Sequence, residues 1–262
     1  VKPGGTRTLA GLALCLLATG SPAREPVRAQ QAQSDYAYLS PALRALQDDE
    51  FANPGMLWVD RGAQLWSAAA GPAGQSCQSC HGAAAISMRR VATRYPAWAP
   101  AMGRVINLEQ QINRCRVSRQ KAAALDYESE DLLALTAFLS HQARGLPVDL
   151  RIDGPAAASF ERGRAFFYQR RGQLNLSCAS CHEQHAGSRL GAETIPQGQI
   201  NGFPVYRELW QTLGSTHRMF AWCNEAVRAE PYAPGSQAYV DLELFERWRG
   251  AGLRIETPAV RR

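Results

Sequence analysis

Two short strings, CQSCH from Cys77 to His81 and CASCH from Cys178 to His182, each set two thiols three residues apart with an imidazole directly after the second. That order suits covalent attachment of a c-type haem. The cysteines form thioethers to the porphyrin vinyl groups, and the histidine becomes the proximal ligand of the iron. Cys77, Cys80, Cys178 and Cys181 are therefore read as attachment points, and His81 and His182 as iron ligands. A zinc site is the alternative for a bare pair of cysteines. Zinc asks for four ligands at close spacing, and neither string has a second Cys or His pair nearby; His185 alone follows the second.

An iron so held has a sixth position to fill, usually with Met or His. The first half offers Met88, Met102 and His141, the second Met219, His185 and His217. Each half also keeps one further cysteine, Cys115 and Cys223. Their matched placement after the two haem strings makes them candidates for the same role. Composition excludes none of these groups, although His185 lies too close to His182 to reach the opposite ring face easily. A Cys115–Cys223 disulfide is the other use for the two thiols, at the expense of the symmetry between the halves.

The elements around these residues repeat. Asp60-Arg61-Gly62 precedes the first string as Glu161-Arg162-Gly163 precedes the second, at the same offset as the strings themselves. Further on, GLPV at 145–148 matches GLRI at 252–255 at a larger offset, so the second copy has gained residues. A 3.6-residue apolar period runs through Leu132, Leu133, Leu135, Phe138 and Leu139, with Glu130 and Asp131 at its start. The same period runs through Tyr239, Leu242, Phe245 and Trp248, closed by Gly250 and Gly252. Helices are also expected near 64–70 and 160–170, and β signal is weak. The expected fold is mainly α, as two tandem cytochrome c-like domains at 36–145 and 157–262, joined by a Pro-, Gly- and Asp-rich linker at 146–156. Domains of that size bury a thin core, so the haem is expected to supply much of it.

The chain has 262 residues and a formal charge of +6. That surplus is modest and has no lysine run, so it fits an anionic small substrate, an acidic partner or haem propionates; no nucleic-acid partner is expected. Residues 1–29 look like an export signal, with Lys2 and Arg7 before an apolar stretch at 9–20, and cleavage after Ala23 or Ala29. An uncleaved anchor is the alternative reading. Cys15 lies inside that stretch and is set aside. No other segment approaches transmembrane length, so no stable membrane insertion is expected. Export agrees with c-type haem, which is attached outside the bacterial cytoplasm, and the expected location is periplasmic.

The stretch RMFAWCNEAVRAEP at 218–231, followed by GSQAY at 235–239, Leu242-Glu243 and ETP at 256–258, closely resembles the diheme cytochrome subunit SoxA of the bacterial sulfur-oxidation system. The resemblance covers nearly the whole chain beyond the signal. It implies an L-cysteine S-thiosulfotransferase that works with a SoxX-like monohaem cytochrome and joins thiosulfate oxidatively to a cysteine of a SoxYZ-like carrier. It also implies His/Cys ligation of both irons, by His81 with Cys115 and by His182 with Cys223. Cys223 would be the reacting sulfur, found in that family as a persulfide. The family's active-site arginine is expected just before this cysteine; Arg218 is the first choice and Arg228 the second.

Two other functions use the same residues. A diheme electron carrier would ligate its second iron with Met219 or His217 and leave Cys223 structural. A thiosulfate dehydrogenase would join two thiosulfates into tetrathionate without a carrier. A diheme peroxidase needs an open iron and a distal acid–base pair, and no such constellation stands out.

Overall fold

A computed structural model describes residues 1, 4 and 32–262. Lys2, Arg7, Cys15 and the apolar stretch of the expected export signal lie outside the described residues. No helix among the described residues is long and apolar enough to cross a membrane.

The described chain is mainly helical, with two helix-rich regions. The first runs through α1 (Pro41–Asp48), α2 (Met56–Ser67), α3 (Cys77–His81), α4 (Ala84–Ser87), α5 (Leu108–Cys115) and α6 (Glu130–His141). The second contains α7 (Ala157–Tyr168), α8 (Cys178–His182), α9 (Thr216–Ala226) and α10 (Gln237–Arg249). The helix expected near 64–70 lies earlier in the chain and ends at Ser67, because Ala68 turns to extended backbone. The other three expected helices fall close to their predicted places.

The helix pairs α2/α6 and α7/α10 each cross at the glycine of the Arg-Gly repeat. A Cβ on Gly62 would strike the carbonyl of Ala134, and one on Gly163 the carbonyl of Asp241. Only glycine lets the two backbones approach so closely. Ion pairs brace both crossings, Arg61 to Asp131 and Arg162 to the buried Asp241. Leu132, Leu135 and Leu139 then pack with Trp66, Leu108 and Ile112 in one core, and Phe160, Phe167, Tyr239 and Phe245 form another.

The strands are short, as the weak β signal suggested. β1 (Ala97–Ala99) pairs antiparallel with β2 (Arg104–Ile106), and β3 (Arg189–Leu190) with β4 (Glu193–Thr194). β5 (Val205–Arg207) lies between antiparallel β6 (Thr212–Gly214) and parallel β7 (Ala259–Arg261). β5 and β6 stand before the last cysteine of the second copy as β1 and β2 stand before Cys115, and β3 and β4 fall in the stretch between the haem string and β5, which is longer than its counterpart.

The segments GLPV and GLRI, recognised above as equivalent, pair with each other. Gly145 and Val148 donate to the carbonyls of Ile255 and Leu253, and Gly252 and Ile255 donate to those of Val148 and Leu146. The start of the 146–156 stretch is thus hydrogen-bonded into the body of the protein. The N-terminal segment also reaches the C-terminal end: Asn53 donates to the carbonyl of Pro258, and Gln47 accepts from Val260.

Candidate functional site

Both haem strings form a single helical turn with the same cap. Ser76 accepts from the backbone of Ser79, which reaches back to the Ser76 N–H, and Ser177 and Ser180 repeat the exchange. This reciprocal cap fixes a helix too short to persist alone. It places Cys77 and Cys80, and likewise Cys178 and Cys181, on one helical face. A tight turn precedes each helix and leans on the end of the segment that carries the third cysteine. Gly71 (φ +63°) sits against Gln120 and Lys121, and Gly172 (φ +68°) against Val227 and Arg228.

In the first half these elements enclose a cavity of about 920 Å³, its open mouth included. Cys77, Cys80 and His81 line it from α3, Cys115 from α5, and Trp66, Met88, Leu135 and Leu139 supply apolar wall. Arg116 and Arg119 also reach its lining. Two thiols, an imidazole, a third thiol and an apolar slot with cationic groups fit a haem. The Cys115 Sγ accepts from Gln111 Nε2 at 3.2 Å. Burial raises the Cys77 thiol, with Arg116 opposing. Met88 lines the same cavity, whereas Met102 is exposed and His141 faces Glu50.

The second half holds its imidazole more firmly. His182 Nδ1 donates to the carbonyl of Pro196 at 3.0 Å, which leaves the Nε2 lone pair free for a metal. Gly198 packs against the ring so closely that a Cβ would lie 2.7 Å from it. Burial pulls the imidazole below its ordinary range, despite the Pro196 bond, and so keeps it neutral as a ligand must be. Burial drives the Cys178 thiol strongly upward, with smaller contributions from Glu246 and Cys223. An oriented neutral imidazole beside two half-buried thiols fits a second haem.

Cys223 lies on α9 within electrostatic reach of Cys181 and Cys178. Burial pushes its thiol up to about 11, and Arg207 is the strongest group opposing that rise. Left to burial alone the sulfur stays protonated; a bound metal and the neighbouring guanidinium both favour the reactive thiolate. All six cysteines among the described residues are unbridged, so Cys115 and Cys223 are not joined to each other. The two rival ligands on α9 are engaged elsewhere. His217 is tied to Gly235 and Glu243, and Met219 Sδ lies 4.0 Å from Arg207 Nη1. His185 is exposed.

Of the arginines expected near Cys223, Arg218 stacks on Trp210, 4.4 Å from the ring centroid. Arg228 is exposed, just beyond α9, in the left-handed region at φ +57°. The cation that acts on the sulfur is Arg207, from β5, which sequence reasoning missed. Its guanidinium lies 4.8 Å from the Trp222 ring and 5.2 Å from that of Trp210, and only 7% of its surface is exposed. Nε donates to the carbonyl of Arg262, whereas the nearest carboxylate, Glu193, is 3.9 Å from Nη2. Guanidinium donors therefore remain available within electrostatic reach of the thiol. No local signal marks Arg207, because it reaches α9 only through the pairing of β5 with β6 and β7. Asn224, next to the cysteine, anchors the helix by accepting from Arg171 and donating to the Phe220 carbonyl and the Tyr239 hydroxyl.

A family model described as SoxA/TsdA, cytochrome c domain, matches residues 61–148. The L-cysteine S-thiosulfotransferase subunit SoxA of Pseudaminobacter salicylatoxidans is 43% identical over 87% of this chain and 80% of its own. The subunit of the same description from Rhodovulum sulfidophilum is 40% identical over 92% of this chain and 84% of its own. Among solved structures, SoxXA from P. pantotrophus superposes with a TM-score of 0.85 at 37% identity, covering 88% of this chain and 87% of the other.

Proposed function

The chain belongs to the SoxA family of L-cysteine S-thiosulfotransferase subunits, and from that premise we propose that its second half is the catalytic centre, with Cys223 as the reacting sulfur. The protein is a transferase that joins thiosulfate oxidatively to a cysteine of a carrier protein. The observation that carries the site assignment is the buried Arg207, packed on the ring of Trp222, the residue next to Cys223, and within electrostatic reach of a sulfur that also feels Cys181 of the CASCH turn.

Cys77, Cys80, Cys178 and Cys181 would attach two c-type haems, and His81 with Cys115, and His182 with Cys223, would hold their irons. Haem bound there supplies an electron-accepting iron and a Lewis acid that favours the thiolate. The remaining work falls to side chains. Arg207 binds the sulfonate oxygens through charge-assisted hydrogen bonds, which a guanidinium can make in pairs. Trp210 and Trp222 hold that guanidinium by cation–π contact and shield it from water. Arg218, also packed on Trp210, draws the dianion inward, and Arg228 belongs to the outer surface. Docked in this way, thiosulfate presents its sulfane sulfur to Cys223, or to a persulfide on it. One sulfur–sulfur bond forms, and the two electrons lost by the paired sulfurs pass one at a time to the monohaem cytochrome partner. The carrier's thiolate then attacks the sulfane sulfur, releases Cys223 as thiolate, or as persulfide where that was the starting form, and departs with the sulfane-sulfonate group.

A SoxX-like monohaem cytochrome is the expected partner, since the matched structure is a SoxXA complex; a SoxYZ-like carrier is the expected acceptor. We place the protein in the periplasm, after removal of residues 1–29, with 36–145 and 157–262 as cytochrome c-like domains either side of 146–156. The test is an assay with labelled thiosulfate, the monohaem partner and the carrier. Label on a carrier cysteine is the expected result, and tetrathionate formed equally well without carrier would replace conjugation by dehydrogenation.

A further inference from the structure

A second group of buried ionisable side chains lies between the two halves, away from Cys223. Glu109 on α5 is 7% exposed and faces Glu243 on α10. They line one polar cavity with Arg247, Thr136, Ser140 and Thr216. His217, on α9, has Nε2 3.1 Å from a Glu243 oxygen but without the alignment of a hydrogen bond. Its Nδ1 accepts the Gly235 N–H at 2.9 Å. Tyr127 stacks on the imidazole and donates to Asn107, whose amide in turn donates to Glu243. The other charges facing the pair are Glu128, from the loop before α6, and Arg104 of β2, which acts on Tyr127. The hydroxyl of Tyr95 completes the wall.

The charges in this group do not balance. Arg247 is the buried cation facing the carboxyls, and its Nη atoms are spent on the carbonyls of Ile200 and Ala92. One cation offsets one of two facing carboxylates, and a second buried negative charge is strongly disfavoured. Burial, with Glu243 second, accordingly lifts Glu109 to about 8. The location matters as much as the count. Tyr95 and Leu108 line both this cavity and the haem-sized cavity of the first half. One layer of side chains separates the two.

We propose that Glu109 and Glu243 share a single proton and form a proton-binding site coupled to the oxidation state of the first haem. This rests on the reading that the first-half cavity holds a haem. Above the titration of the pair, reduction of a haem held in the first cavity would draw one proton from solvent onto the two carboxyls, and its oxidation would release it. Coupling is reciprocal: the electron favours the proton by the factor with which the proton favours the electron.

The test is spectroelectrochemical titration of the holoprotein from about pH 6 to about pH 10, with haem counted chemically in each sample. The first-haem step is identified by its displacement in Cys115→Met. In the wild type, the equilibrium constant for that step falls up to tenfold per pH unit above the titration of the pair, about 59 mV. Glu109→Gln, which mimics the protonated acid, is expected to hold the potential near its low-pH value throughout. Glu243→Gln removes the charge that raises Glu109 and moves the inflection to lower pH. Proton uptake on dithionite reduction, followed with an indicator dye, checks the wild type without any substitution. A flat wild-type profile, or a slope surviving unchanged in Glu109→Gln, overturns the proposal; the surviving slope would belong to the haem propionates. A chain with a single haem would remove the premise instead, and haem counting reveals it independently of the slope.

Discussion

The two cysteine sites share one framework and differ in what surrounds the sulfur. In both, a capped CxxCH turn faces a cysteine on a helix, and a glycine turn leans on the end of the segment carrying that cysteine. Around Cys115 the cavity is open, His81 is exposed, and the sulfur meets the neutral amide of Gln111. Around Cys223 the strand β5, equivalent to β1 of the first half, carries Arg207 where β1 carries Ala99, and Arg207, packed on Trp210, lies within electrostatic reach of the sulfur, while the 196–198 loop clamps His182. The helix ends differ as well. Five residues of π-helix, Arg116–Gln120, follow Cys115, so the left-handed residue comes at Lys121, six after the cysteine; after Cys223 it comes at Arg228, five after. A repeated scaffold can thus hold two similar sulfurs while a cation at one equivalent strand position equips one of them to receive a dianion.

The sharpest way to break this comparison is to remove each sulfur. Cys223→Ala is expected to lower carrier labelling on the order of 10³-fold or more while both haems stay attached. Cys115→Ala should alter the spectrum and potential of the first haem and leave labelling within reach of the wild type. Equal losses in the two variants would erase the distinction between the halves.

Arg207 comes next. Losing hydrogen bonds to a charged partner removes about 1.5–3 kcal/mol, so Arg207→Met is expected to lower kcat/KM on the order of 10- to 100-fold, mainly through KM. Arg207→Lys should recover part of it, and Arg228→Met should have little effect. Steady-state kinetics against thiosulfate concentration decides.

A smaller effect tests the shared framework. Gly62→Ala and Gly163→Ala each press a methyl group onto a carbonyl at a helix crossing, and overpacking of this kind removes about 1–3 kcal/mol. Both thermal midpoints should fall by similar amounts if the crossings are equivalent. A drop in only one would show that the repeat is not mechanical.

The mildest effect is in pH. Two further raised acids lie in the second half and the segment packed on it: Asp35 is raised to about 6 and Glu246 to about 7, both chiefly by burial. Their folded pKa values exceed the model values of 3.8 and 4.5, so the fold binds protons that the unfolded chain releases. That stabilisation is complete below the lower values and is lost as pH rises through about 6 and about 7. The thermal midpoint of the holoprotein should therefore decline across this range, and Glu246→Gln should flatten part of the decline.

Much of this was legible in the chain itself. The CxxCH strings, the matched third cysteines and the apolar periods of α6 and α10 are local patterns, and local patterns follow from backbone periodicity and side-chain type. The repeat of Arg-Gly was legible too, although its purpose, a backbone crossing too close for any Cβ, needs the partner helix. Arg207 was invisible: it sits 16 residues before the cysteine in a segment with no period, and only the pairing of β5 with β6 and β7 turns it toward α9. Arg218, the nearer choice in sequence, stacks on Trp210 and is not among the groups that act on the Cys223 sulfur, since neighbours along a helix need not share a face. The Glu109–Glu243 pair was equally hidden, because its two members stand more than a hundred residues apart. Residue order determined which groups can bind haem and form sulfur bonds; which charges meet them in low dielectric depended on long-range packing, because burial and Coulomb forces act through space and not along the chain.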